Sequence, residues 1–171
     1  MNKLSMLLFA TLVVLCLAHG AYYYPQLPDI VDSRFSLTGE SVATMGKATM
    51  LGFYYGVVLL LGAMFLLFNY LTSRMTPARL NLPNKAFWMA KDREVQTRAF
   101  LSSHLLWLGS ISMALILYVF HQSFQVTLGV VDRLPRMPWV LGAFLGFVVF
   151  WCLGLYLRFA RTGGASSPAT S

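Results

Sequence analysis

Histidine is the residue type in this chain with the widest chemical repertoire, and His104, one of its three histidines, lies well inside a long apolar run and away from the run's outer end. His104 is flanked by Ser102, Ser103 and Trp107. An ionisable side chain at membrane depth is costly and usually faces a partner or a cavity. Asn69, at a similar depth on another run, could hydrogen-bond it. Two interpretations follow: a proton-linked or ligand-contacting histidine, or a neutral histidine that fixes helix register.

Other arrangements typical of enzymes and metal centres are missing from the sequence. Ser102 and His104 are too close along a helix to form a nucleophile and its base, because neighbouring helical residues do not face each other. His19 and His121 are predicted at outer helix ends. The acidic residues of the predicted outer loops are Asp29, Asp32, Glu40 and Asp132. An external metal site could be assembled from these groups, but none has a recognisable ligand spacing such as HExxH. We therefore expect no enzyme, no metal and no cofactor.

The elements that must position these residues are four long apolar runs, at residues 4–22, 48–71, 99–120 and 137–159. Each is long enough to cross a hydrocarbon core, which takes ~20 residues of helix. Hydrophobic residues make up 57% of the chain and charged residues 11%, whereas soluble domains average about 25% charged residues. The sequence predicts an all-α, polytopic membrane protein with four transmembrane helices, and the lipid bilayer is its first partner.

The first run also has a second interpretation. Lys3, the apolar stretch that follows it and the small residues around His19 resemble a secretory signal with a cleavage site. Cleavage would leave three crossings. However, the run continues through Ala21 and three tyrosines to spanning length, and Pro25 then ends it. We prefer a retained helix.

Orientation follows from the distribution of Lys and Arg. Nine of the thirteen lie at the N-terminal tip, in the second loop and in the tail: Lys3, Arg74, Arg79, Lys85, Lys91, Arg93, Arg98, Arg158 and Arg161. The other four, in the first and third loops, are Arg34, Lys47, Arg133 and Arg136. The positive-inside rule then predicts that both termini are cytoplasmic. The net charge of +7 belongs to this pattern and does not indicate nucleic-acid binding.

Two glycine pairs on the predicted helices indicate close helix packing. Gly52 and Gly56 form a GxxxG pair on the second helix, and Gly142 and Gly146 form another on the fourth. Small residues four apart let helix backbones approach closely in lipid. The pairs could support a homodimer, or packing between the second and fourth helices of one chain, which we prefer.

The loops carry the remaining information. In the first loop the notable positions are Pro25, Leu27, Pro28, Phe35, Gly39 and Lys47. The second has Asn-Leu-Pro-Asn-Lys at 81–85, followed by Phe87 and Trp88. Two prolines close together make the first loop extended and stiff. The aromatic residues of the second loop suggest an anchor in the cytoplasmic interface.

These loops resemble those of small bacterial membrane proteins that share a domain of unknown function with the Sdp toxin-immunity proteins (SdpI-like). The resemblance covers roughly residues 4–100 and is most specific at 81–88. Relatives usually have His at the position of Arg34, and residues 41–44 replace a Pro-Asp-Gly-Trp segment. The resemblance implies a non-enzymatic bacterial inner-membrane protein, in some members conferring toxin immunity and signalling to a repressor.

The resulting organisation is an SdpI-like domain at 1–100, a C-terminal helix pair at 101–160 and a disordered tail at 161–171. The preferred function is toxin immunity or sensing, with Arg34 and Lys47 meeting a peptide or lipid outside. Lys85 and Trp88 would bind anionic lipid or a cytoplasmic partner. The alternative is a small transporter or an accessory subunit of a membrane complex, with His104 and Asn69 lining a path.

Overall fold

The computed structural model describes residues 3–36, 38–134 and 137–161, apart from the side chain of Ala78. The elements are α1 (Lys3–Tyr23), β1 (Ile30–Phe35), β2 (Ser41–Gly46), α2 (Lys47–Arg74), a 3-10 turn (Pro77–Arg79), α3 (Lys85–Trp88), α4 (Glu94–Thr127) and α5 (Met137–Ala160). Of these, α1, α2, α4 and α5 are long and apolar enough to cross a membrane. The prediction of a mostly helical, multi-pass membrane protein is confirmed to this extent.

The core lies between α1, α2 and α4. Its most deeply buried apolar side chains are Phe9, Cys16, Tyr54, Val58 and Met113. The helix α1 therefore supplies central packing residues; its retention in the mature protein stays a prediction. We call the end where α1 begins, α2 ends, α4 begins and α5 ends the basic end. The opposite end, which carries the two strands, is the hairpin end.

The close approaches between helices use glycines other than the predicted pairs. A Cβ at Gly109 would lie 2.7 Å from the Phe9 ring and 2.9 Å from the Phe65 ring, and one at Gly20 would lie 2.6 Å from Tyr55. Among the described residues, a Cβ at Gly52, Gly56, Gly142 or Gly146 would meet nothing within 4 Å. The preferred interpretation, that these pairs pack α2 against α5 in one chain, is wrong. The homodimer stays a prediction.

The helix α5 stands apart from the other three. In its most apolar window no residue is buried, compared with 22–28% of the residues in the other spans. Its buried residues are Met137 and Phe159, close to its two ends. A helix that is apolar all round is stable in lipid without further packing, because lipid tails solvate it as well as leucine does.

The first outer loop forms a β-hairpin, which the sequence analysis predicted only as an extended segment. β1 and β2 pair antiparallel, with Ile30 opposite Gly46 and Phe35 opposite Ser41, and the register shifts on both sides of Arg34. The turn contains Gly39 at φ 88°. A Cβ there would also overlap the backbone carbonyl of Leu134. Glycine is needed at this position for both reasons.

Side chains from other elements satisfy the carbonyls at two helix ends. Arg98 of α4 donates to the carbonyls of Thr72 (2.7 Å) and Met75 (2.6 Å) at the end of α2. It also forms an i,i+4 ion pair with Glu94 at 2.8 Å. The last carbonyls of a helix have no partner within the helix. Arg98 therefore joins the end of α2 to the start of α4.

The C-terminal end of α5 is held in the same way by the segment around α3. Asn84 donates to the carbonyls of Phe159 (3.2 Å) and Ala160 (2.7 Å). The indole of Trp88 donates to the carbonyl of Phe159 at 2.9 Å. The loop that resembles the SdpI-like motif is thus a tether for α5.

The predicted domain boundary at residue 100 falls inside α4, which is continuous from Glu94 to Thr127. Because α1 and α2 share their core with α4, the regions on either side of this boundary are packed together. Of the predicted disordered tail, residues 162–171 lie outside the described residues, as does Arg136 of the third loop.

Replacing Gly109 by Ala should destabilise the protein. The new methyl group would press on the Phe9 and Phe65 rings, and overpacking costs about 1–3 kcal/mol. Gly146→Ala is the matched control, since its Cβ meets open space and alanine favours helix. The melting temperature of each purified variant in detergent measures the effect. Equal melting temperatures would contradict the close contact at Gly109.

Replacing Arg98 by Ala should loosen the junction of α2 and α4. The side chain is only 15% exposed, and a hydrogen bond to a charged group contributes about 1.5–3 kcal/mol. Arg74→Ala at the same helix end is the control, because Arg74 is exposed and its guanidinium lies over the Tyr70 ring. Thermal unfolding in detergent should show a lower midpoint for Arg98→Ala alone, and a normal midpoint would argue against this cap.

Candidate functional site

A chain of polar side chains crosses the core near the hairpin end. Nε2 of His19 lies 3.3 Å from Nδ1 of His121, and the Tyr23 hydroxyl lies 3.4 Å from the same His121 nitrogen. The Tyr54 hydroxyl lies 3.4 Å from Nδ1 of His19. Gln125 donates to the Tyr23 hydroxyl at 2.7 Å. These five residues, which we call the histidine network, join α1, α2 and α4.

Helical spacing explains how the histidine network forms. Residues four apart lie on one face of a helix, so His19 and Tyr23 face α4 together, as His121 and Gln125 face α1. Aromatic packing fixes the rings: His19 stacks on Phe124 with ring centroids 5.6 Å apart. Tyr23 and Tyr54 are buried and the other three residues are half-buried, and a hydrogen bond shielded from water in this way is stronger than one in water.

The external metal site considered from the sequence does not form as a cluster. The two histidines meet each other, whereas Asp29 pairs with Lys47 and Asp32 bonds to α4. Within the part of the chain that the structure describes, no group of three His, Cys, Asp or Glu residues could hold a metal ion. Tyr23 belongs to the histidine network, whereas the neighbouring Tyr22 is exposed.

The structure does not bring His104 and Asn69 together. Asn69 is buried and accepts a hydrogen bond from Ser102 at 2.9 Å. His104 Nδ1 lies 3.1 Å from the carbonyl of Phe100 on its own helix, and its ring lies 5.2 Å from Trp151 of α5. At 3.6 residues per turn, positions two apart point to nearly opposite sides of a helix. The expected pairing of His104 with Asn69 is therefore wrong.

The hairpin is fastened to the end of α4 by one residue of β1. The backbone N–H of Asp32 donates to the Thr127 hydroxyl at 3.1 Å, and that hydroxyl lies 3.2 Å from the Asp32 carboxylate. Ser123 donates to the Asp32 carbonyl at 3.4 Å. The side chain of Val31 next to it is buried. The hairpin thus sits on the same turns of α4 that carry His121 and Gln125.

A cavity of about 310 Å³ lies between the hairpin and the helices beneath it. Its walls are apolar for the most part and come from both strands, α2, α4 and the segment after α4. The lining residues are Ser33, Phe35, Met45, Met50, Phe53, Val119, Phe120, Ser123 and Leu134. Its volume is at the lower limit of small-ligand pockets, ~300–1,000 Å³.

The two predicted outer binding residues have different environments. Arg34 is exposed on β1 and has no ion pair among the described residues. Lys47 forms an ion pair with Asp29 at 3.0 Å, lies 3.5 Å from the Leu27 carbonyl and 5.6 Å from the centroid of the Tyr24 ring. Arg34 is available to a ligand, whereas Lys47 braces the start of α2.

At the basic end, Trp88 is engaged within the chain. Its indole bonds to α5, and its ring packs edge-on against Phe159 at 5.2 Å. Its carbonyl accepts a hydrogen bond from Thr97 at 2.9 Å. Lys85 begins α3, directly after Asn84, whose φ is 50°. Trp88 thus has a structural role in this chain, and the predicted contact of Lys85 with lipid or a partner stays a prediction.

No protein-family model, no curated protein and no solved structure matches the chain. The SdpI-like resemblance therefore rests on the loop motifs quoted above. In the structure the first-loop residues form the hairpin and, with Lys47, the start of α2. The second-loop residues form the tether that holds the end of α5.

Removing the Tyr54 hydroxyl should destabilise the core. Tyr54→Phe keeps the ring but leaves Nδ1 of His19 without this partner, and a buried unsatisfied polar group costs about 1–3 kcal/mol. Tyr70→Phe, the same change at an exposed position of α2, should shift stability by less than about 0.5 kcal/mol. Thermal melts in detergent compare the two. Equal midpoints would show that the Tyr54 hydroxyl, and with it this bond of the histidine network, does not stabilise the fold.

Proposed function

We propose that this chain is a non-enzymatic bacterial inner-membrane protein that binds an extracellular peptide at its hairpin, in toxin immunity or sensing. The observation that carries the proposal is the hairpin fastened to α4, which exposes Arg34 on β1 and lines an apolar cavity with its neighbours Ser33 and Phe35. The SdpI-like resemblance supports the same function.

The orientation in this proposal follows from charge. The described cations of the basic end include Lys3, Arg74, Arg79, Lys85, Lys91, Arg93, Arg98, Arg158 and Arg161, whereas Arg34, Lys47 and Arg133 lie toward the hairpin end. The excess of Lys and Arg belongs in the cytoplasm. Both termini are then cytoplasmic, and the hairpin faces the outside of the inner membrane.

The hairpin offers a peptide three kinds of contact. Ile30 and Val42 are exposed apolar side chains on the strands. Among the described residues no strand pairs with the outer edge of β2, and an extended peptide can add a strand to such an edge. The Arg34 guanidinium can bind a carboxylate in two parallel hydrogen bonds. An amphipathic peptide with an acidic or C-terminal carboxylate and one apolar anchor fits this combination.

A bound peptide could be sensed through the contacts below the hairpin. Asp32 is fastened to Ser123 and Thr127 of α4, one turn or less from Gln125. The histidine network links that part of α4 to α1 and α2. A shift of the hairpin would therefore act on three helices, and the basic inner loop with Lys85 would present the change to a cytoplasmic partner.

The alternative is a small transporter or an accessory subunit of a membrane complex. A transport path with His104 and Asn69 as its lining would need those residues to face one lumen, and they contact different helices. An accessory role, or a homodimer through the open glycine faces of α2 and α5, is compatible with the open space beside Gly142 and Gly146.

Growth of the native host with the gene deleted, challenged by membrane-active peptide toxins, tests this function. Complementation with Arg34→Ala should raise sensitivity about tenfold relative to wild type, since losing one charge-assisted contact costs about 1.5 kcal/mol. Arg133→Ala, an exposed arginine in the loop after α4, is the control. Immunoblots should show equal amounts of each variant in the membrane.

Unchanged sensitivity on deletion, under every peptide tested, would remove the immunity function. Loss of protection by Arg133→Ala as large as that by Arg34→Ala would show that general surface charge, and not the hairpin, matters.

Lys47→Ala should instead lower the melting temperature, because Lys47 braces the start of α2.

A further inference from the structure

A groove of about 680 Å³ lies between α4 and α5 at the basic end. Its residues are Phe100 and His104 of α4, then Phe150, Trp151, Gly154, Leu155, Leu157 and Arg158 of α5, and Arg161 just after it. Apolar and aromatic side chains form the walls, and the two arginines lie at the mouth. The volume is within the ~300–1,000 Å³ usual for ligand sites.

The groove is held open by contacts on both sides. At its basic end, Asn84 and Trp88 bind the last carbonyls of α5. Deeper in the membrane, the Trp151 ring lies against His104, with centroids 5.2 Å apart. Between these two contacts the groove separates α5 from α4. The walls of the groove are therefore set by the fold before any ligand enters.

The two arginines at the mouth carry charge that the described residues do not neutralise. Arg158 lies over the Phe100 ring, 3.7 Å from its centroid, and is otherwise exposed. The two acidic residues around the start of α4 are already paired. Asp92 forms an ion pair with Arg93, and Glu94 forms one with Arg98. Arg158 and Arg161 have no ion pair within the described ranges. Such a pair attracts an anion.

We infer that this groove binds one anionic phospholipid, with its phosphate between Arg158 and Arg161 and an acyl chain along Trp151 and Leu155. Arginine binds phosphate in two parallel hydrogen bonds. Basic pockets between transmembrane helices are suited to anionic headgroups, and the apolar depth is suited to a chain. The inference goes beyond the proposed function and does not depend on it, since it concerns the opposite end of the molecule.

The alternative ligand with the same chemistry is free phosphate. It would use the two arginines and leave the aromatic walls without a role. Phe150 is 75% exposed, and an acyl chain covers such a side chain while phosphate does not. The walls therefore favour the lipid.

Native mass spectrometry of the full-length protein in detergent tests the inference. It would be titrated with phosphatidylglycerol and, separately, with phosphatidylcholine of the same acyl chains. The wild type should bind one phosphatidylglycerol in preference. The double variant Arg158→Gln, Arg161→Gln should lose affinity about 30-fold, because each cation near the surface contributes a factor of about five.

The control is the double variant Arg74→Gln, Arg79→Gln, which removes two exposed arginines outside the groove at the same end. It has the same net charge as the groove variant and should bind phosphatidylglycerol like the wild type. Size-exclusion chromatography and melting temperature should show that both variants are folded. Millimolar inorganic phosphate should not displace the lipid.

Three results would overturn the inference. Equal binding of the two lipids by the wild type would show that the headgroup charge is not recognised. Equal losses in the two double variants would show diffuse attraction to the whole basic end. Displacement by inorganic phosphate would show that the arginines bind the anion alone, without a contribution from the groove walls.

Discussion

Hydrocarbon offers no hydrogen bonds, so every backbone carbonyl at the depth of the membrane must find a partner within the protein. The body of each helix meets this constraint by itself, but its last carbonyls do not. In this chain the ends of α2 and α5 are satisfied by side chains from elsewhere: Arg98 for the first, Asn84 and Trp88 for the second. These bonds decide which helices are joined at the basic end. The segment at 81–88 owes much of its structural role to the last two of these side chains.

Packing then separates the helices into two groups. Three helices, α1, α2 and α4, pack closely at Gly109 and Gly20. At these positions aromatic rings of neighbouring helices contact the glycine backbone. α5 has no such contact along its length and is held mainly at its end. This difference gives the molecule a tight core, which carries the hairpin and the histidine network, and a loosely attached helix, which leaves the groove beside His104.

The sequence was sufficient to predict the spanning helices, because hydropathy over ~20 residues is a local property that lipid enforces. It was insufficient for the hairpin, whose strands are short and irregular around Arg34 and are held by Asp32 bonding to Thr127, 95 positions away.

The GxxxG pattern was misleading for packing within the chain, since spacing alone does not show which face meets a neighbour. The real contacts, Gly20 and Gly109, are single glycines without a motif. His19 and His121 were recognised as outer-end residues, but only the fold places them 3.3 Å apart. The i,i+4 partners Tyr23 and Gln125 were the available signal.

The central claim is that the hairpin faces outward and the tether of α5 faces inward, and cysteine labelling in intact cells tests it most directly. In a background with Cys16→Ala and Cys152→Ala, single cysteines would be placed at Thr38 in the hairpin turn or at Ala86 in α3, both exposed. The account predicts that a membrane-impermeant maleimide labels Thr38→Cys in whole cells and labels Ala86→Cys only after lysis. Labelling of Ala86→Cys in whole cells, with Thr38→Cys protected, would contradict it.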